Sequence, residues 1–84
     1  MPIPVHFSLM LAQVVRKSRE RSGMSQDTLA AKSGVSKRFL RDLEHARTDI
    51  SVTNLLRISQ ALNLNMSELF LQVECGLTEQ PEDG

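Results

Sequence analysis

The run Ser36-Lys37-Arg38-Phe39-Leu40-Arg41-Asp42-Leu43-Glu44-His45 sets cations and carboxylates around two leucines. Leu40 and Leu43, three residues apart, face one side of a helix together, so Lys37, Arg38, Arg41 and Asp42 point elsewhere. Lysine and arginine donate to guanine O6 and N7, and a carboxylate accepts from cytosine N4, so such a face has the groups needed to read base edges. Two plainer readings stand beside this one: a merely solvated charged face, and an ion pair between Asp42 and Arg38 four residues earlier. Phe39 either packs inward or touches a thymine methyl. Other chemistry finds little support. His6, His45 and Cys75 lie far apart with none of the short spacings of zinc ligands. No glycine-rich phosphate loop or nucleophile elbow occurs, so neither an enzyme nor a metal or cofactor site is expected.

The elements that must position this face follow from helical periodicity and caps. Pro2 and Pro4 favour an extended arm over residues 1 to 7. A helix is expected from about Ser8 to Ser22, with Leu11, Val14, Val15 and Ser18 on one side and Gly23 ending it. Ser25 caps a second helix, Gln26 to Lys32, and Ser33-Gly34-Val35 reads as a tight turn in which glycine tolerates a positive φ. Ser36 caps a third helix from Lys37 to about His45. His45, near that helix's end, is a solvated residue favoured by the helix dipole or a neighbour of phosphate. After a polar loop, Ser51 caps a fourth helix carrying Val52, Leu55, Leu56, Ile58, Ala61 and Leu62, which Asn63 ends. Asn65 or Ser67 opens a fifth, Met66 to about Leu71, and residues 72 to 84 form an acidic tail, disordered from Gly76. The fold expected is therefore all-α, one five-helix domain over residues 8 to 71.

The 84 residues, 40% of them apolar, suit a single compact domain with a modest core. Ten basic and ten acidic side chains cancel, yet they are segregated: every Lys and Arg lies between Arg16 and Arg57, whereas Glu68, Glu74, Glu79, Glu82 and Asp83 crowd the end. A polyanion would meet the basic part, with the acidic end held away. The longest apolar run near the start, Leu9 to Ala12, falls far short of the roughly 20 residues needed to span a bilayer. A lone Cys75 fits a reducing compartment, so a cytoplasmic location is expected.

Two short helices joined by a glycine turn, the second basic on its outer face, have the geometry of a unit that enters the B-DNA major groove. The stretch from Gly23 to Ser36 resembles the start of the Cro/Xre, phage-repressor-like helix-turn-helix family. The similarity continues through Leu40, Leu43 and Glu44, then Leu55-Leu56, Ile58, Ala61-Leu62, Leu64 and Glu68-Leu69-Phe70. Ala46 stands where the family usually has glycine, Ile50 where it often has proline, and Asn63 where glycine is common.

The resemblance implies a double-stranded DNA-binding transcriptional regulator, a repressor acting as a homodimer on a pseudo-palindromic operator. The alternative it leaves is a module that binds a protein partner such as a toxin, using DNA for autoregulation. Lys37, Arg38, Arg41 and Asp42 match positions that face bases or phosphates. Gln26 and Ser36 match backbone-contacting positions, with Arg47, Thr48 and Asn54 as further backbone contacts. Arg19 and Glu44 occupy positions that often form a partly buried ion pair, the alternative being a separate Arg19 at the surface. Met66, Leu69, Phe70, Leu71 and Val73 offer more apolar surface than a short fifth helix easily buries, so they are expected at a dimer interface unless they complete the domain's own core.

Overall fold

The computed structural model describes residues 5–79, with side chains from 7 to 76, as five helices: α1 (Val5–Arg21), α2 (Gln26–Ser33), α3 (Lys37–Glu44), α4 (Val52–Ala61) and α5 (Met66–Glu79). The described residues contain no strand. Three serines open helices as N-caps. Ser25 Oγ accepts from the Thr28 N–H, Ser36 Oγ from Phe39 and Ser51 Oγ from Asn54, at 3.1, 3.0 and 3.2 Å. The fifth helix starts differently, because the Glu68 carboxylate reaches back to accept from the Asn65 N–H at 2.9 Å, the reciprocal half of a capping box.

Each of the first four helices leaves through a residue in the left-handed region: Gly23 (φ 73°), Gly34 (φ 78°), Ala46 (φ 57°) and Asn63 (φ 61°). After α3 the Arg47 N–H reaches the Asp42 carbonyl at 2.8 Å and the Ala46 N–H reaches Leu43 at 3.0 Å. The same pair of bonds closes α4, from Leu64 to Ser59 and from Asn63 to Gln60. This is the Schellman arrangement, which satisfies the last carbonyls of a helix and needs a positive φ at its hinge. Asparagine adopts that conformation readily, whereas alanine does so against a Cβ clash. The loop after α3 thus keeps a glycine-like backbone although alanine occupies it.

Both helix ends nearest the chain termini extend beyond the expected bounds. The arm expected over residues 1 to 7 is already helical from Val5, and residues 1–4 lie outside those described. Phe7 is the reason: it stands four residues before Leu11 and so carries the inner stripe one turn earlier, packing half-buried against the core. At the other end α5 does not stop at Leu71, and the tail expected from residue 72 continues as helix through Glu79, with residues 80–84 outside those described. Here Leu69, Val73 and Gly76 continue one inner stripe along α1. A Cβ on Gly76 would come within 2.6 Å of Met10 Sδ, so the Met10 side chain occupies the space that a larger residue there would need.

The core joins Val15 of α1, Leu29 of α2, Leu40 of α3, Ile58 of α4, and Leu69 and Val73 of α5, none more than 1% exposed. The short pair α2 and α3 is therefore clamped between α1 and α4. No helix among the described residues is long and apolar enough to cross a membrane.

Candidate nucleic-acid interface

Successive residues of an α-helix turn by about 100°, so Leu40 and Leu43 fix where every other α3 side chain goes. Both leucines are buried, Leu40 completely. On the opposite side Arg38, Arg41, Asp42 and His45 share one stripe at the spacing i, i+3, i+4, i+7. Arg38, Arg41 and His45 are exposed and Asp42 is half-buried. No ion pair joins Arg38 to Asp42 among the described residues, so the arginines are not held by that carboxylate.

Lys37 departs from this stripe. It lies toward α2, where its ammonium meets the Asp27 carboxylate at 3.2 Å in an exposed pair. Sequence spacing on α3 groups Lys37 with Arg38, but only the angle between the two helices shows that Asp27, in the first turn of α2, comes within its reach. The cation is consequently drawn to the flank of the face.

A partly buried network ties α3 to α1 and α2. Arg19 Nε donates to Glu44 Oε2 at 2.8 Å and Arg19 Nη2 to Glu44 Oε1 at 3.0 Å, a two-pronged pair joining α1 to α3. The remaining guanidinium nitrogen donates to the Met24 carbonyl at 2.9 Å, tying in the loop before α2. The hydrogen bond to Glu44 raises the proton affinity of Arg19 above that of an ordinary arginine, against the opposing effect of burial. Gln26 Nε2 donates to Glu44 Oε1 at 3.1 Å, so one carboxylate collects donors from α1 and α2. The second amide hydrogen of Gln26 is left uncommitted by this bond, and Gln26 itself opens α2, where the first backbone N–H groups lack intrahelical acceptors.

The flanking residues fall as follows. Ser36 Oγ is the α3 cap, which leaves its hydroxyl proton to donate. Arg47 is exposed in the loop after α3, and Thr48, half-buried, donates to the Asp49 carbonyl at 3.2 Å. Asn54 is half-buried in the first turn of α4.

Two of the residues expected at a dimer interface belong to the interior of the domain. Leu69 and Val73 are 0% and 1% exposed and pack with α1 and α4, because positions four apart on a longer α5 share the face that meets the core. Met66 is half-buried and in contact with Ser59 Oγ through its sulfur at 3.6 Å. Phe70 and Leu71 remain at the surface on different flanks: Phe70 beside Phe7, and Leu71 bordering a groove with Met10, Val14 and Cys75. Among the described residues no three His, Cys, Asp or Glu side chains are grouped as metal ligands.

A short capped helix, a left-handed glycine turn and a second helix with a cationic outward stripe, braced from behind by a buried ion pair, define the class of helix-turn-helix DNA-binding regulators. The helix-turn-helix family model HTH_3 matches residues 15–69, and the chain belongs to that family. It is 39% identical over 62 residues to the HTH-type transcriptional regulator SlrR of Bacillus subtilis, covering 73% of this chain and 41% of SlrR. It is 32% identical over 73 residues to the control protein C.BamHI of Bacillus amyloliquefaciens, covering 86% of this chain and 90% of that one. The crystal structure of the restriction-modification controller protein C.AhdI from Aeromonas hydrophila superposes with a TM-score of 0.73 at 32% identity, covering 75% of this chain and 96% of that one.

Proposed function

We propose that the protein is a transcriptional regulator of the controller type, a homodimer that recognises a pseudo-palindromic operator and represses by occluding it. The observation that carries this reading is the α3 stripe of Arg38, Arg41 and Asp42, turned away from Leu40 and Leu43 on a helix that the Glu44 network ties to α1 and α2. A helix presented this way enters the major groove with its early residues at the base edges. Gln26, Ser36, Arg47, Thr48 and Asn54 lie at its flanks, where the strands pass, and supply phosphate contacts that set the register. Likeness along 90% of C.BamHI supports the controller type. The exposed Phe70 flank supports self-association, since two copies related by a two-fold axis double the bases read.

Genomic fragments retained by the purified protein yield the operator, and titrations against that operator and a scrambled duplex test the roles. Arg38→Ala costs about 1 to 3 kcal/mol on the operator and little on scrambled DNA, so the specificity ratio falls. Wild-type protein without salt-sensitive affinity for any fragment, but tightly bound to the product of a neighbouring gene, makes the protein-partner reading the correct one.

A further inference from the structure

His45 ends the outward stripe of α3 one turn beyond Arg41 and Asp42, and its ring is held in one orientation. Nδ1 lies 2.8 Å from the Arg41 carbonyl oxygen. A carbonyl only accepts, so Nδ1 carries a hydrogen and donates it. The other nitrogen, Nε2, then has two states. In the neutral ring it bears a bare lone pair, which repels a phosphate oxygen. In the imidazolium it bears a hydrogen and a share of positive charge, and becomes a donor to phosphate. Nε2 has no partner among the described residues, and the ring is exposed.

We propose that His45 is a proton-linked phosphate contact: the protein binds duplex DNA more tightly when Nε2 of His45 is protonated, and DNA binding takes up a proton there. The proposal rests on the reading of α3 as the recognition helix. Early residues of such a helix lie over base edges, whereas its last turn rises toward the strand, and Arg47 follows in the loop on that side. The charged groups around the ring come from α3 and the loop after it. Arg38, Arg41 and Asp42 share its face of α3, and Arg47 and Asp49 follow in the loop. From α1, Phe7, Ser8 and Leu11 approach that loop, and none of them titrates near neutrality. Arg19 of α1 and Asp27 of α2 are engaged on the other sides of α3 with Glu44 and Lys37. A phosphate at Nε2 adds an anion directly against the ring. The sign follows. DNA raises the proton affinity of His45, so the gain in DNA affinity is complete at low pH and is lost as pH rises through the titration of the bound form.

Fluorescence anisotropy with a mixed-sequence duplex of about 20 base pairs, at fixed low salt, tests this. Wild-type affinity is expected to fall on the order of tenfold per His45 engaged between about pH 5.5 and pH 8, the worth of one charge-assisted hydrogen bond. His45→Gln flattens that dependence, and His45→Arg holds the low-pH affinity across the range. His6→Gln, at the other histidine, keeps the wild-type slope. If His45→Gln fails to fold, NMR titration of the wild-type ring, free and DNA-bound, replaces it, and a higher midpoint in the complex is expected. Salt-sensitive binding that is equal at both pH values, that strengthens as pH rises, or that keeps its slope in a folded His45→Gln variant overturns the proposal while leaving DNA binding intact. Absence of any salt-sensitive binding overturns the recognition-helix reading itself.

Discussion

At the scale of single residues, Ala46 and Glu44 show opposite relations between a side chain and its place. Ala46 sits at φ 57°, where an L-residue with a Cβ is strained by roughly 1 to 2 kcal/mol. Glycine removes that strain but adds about 0.5 to 1 kcal/mol of backbone freedom in the unfolded chain. Ala46→Gly is therefore expected to stabilise the protein by about 0.5 to 1 kcal/mol, seen as a melting temperature a few degrees higher. Glu44 is matched to its place. It is 6% exposed and accepts from Arg19 and Gln26. Glu44→Ala strands the Arg19 cation and should cost about 3 to 5 kcal/mol, read from denaturant unfolding. The raised proton affinity of Arg19 contributes stability that is complete below the ordinary arginine pKa. That contribution is lost only as pH rises through the raised value, so Arg19 introduces no pH dependence near neutrality.

At the scale of the element, α3 has eight residues, too few to hold itself together without its cap and its neighbours. Its start depends on Ser36, and Ser36→Ala is expected to lose about 1 kcal/mol of stability, measured by thermal melting. Under the proposed phosphate contact, the remaining Ser36 hydroxyl proton would give the same substitution a second, smaller effect on DNA affinity, which a titration at constant salt separates from folding. The starts of α2, α3 and α4 were legible in the chain because a serine cap is a local signal acting within three residues. At α5, Asn65 and Ser67 both stayed open until the bond from the Asn65 N–H to Glu68 decided for Asn65. The length of α5 was not legible. Residues from 72 on read locally as an acidic tail, yet Val73 is buried against the core and Gly76 lies beside the Met10 side chain of α1, so the inner stripe runs on.

At the scale of the whole molecule, the apolar surface that α5 leaves exposed, and on which the proposed dimer would rest, is narrower than the helix's composition suggests. With Leu69 and Val73 in the interior, Phe70 is the large apolar side chain left beside Phe7, at 41% exposure. Phe70→Glu is expected to raise the dimer dissociation constant by tenfold or more in sedimentation equilibrium. The melting temperature of the monomer should move little, because the ring is not part of the closed core. A variant that melts sharply lower while staying dimeric places Phe70 in the fold instead.

The helix boundaries at the caps, the two-helix unit with its glycine turn, and the outward set of Arg38, Arg41 and Asp42 follow from the chain alone, because periodicity and capping act over a few residues. The Arg19–Glu44 pair was implied by family likeness, and it joins residues 25 apart in sequence. Only tertiary structure decided which α5 side chains are spent on the monomer's core, that Lys37 turns to Asp27, and that the His45 ring is anchored on the Arg41 carbonyl. Those outcomes depend on angles between helices and on which face of each is already occupied. Local spacing carries no record of either, because the same four-residue step serves equally for an inner stripe and an outer one.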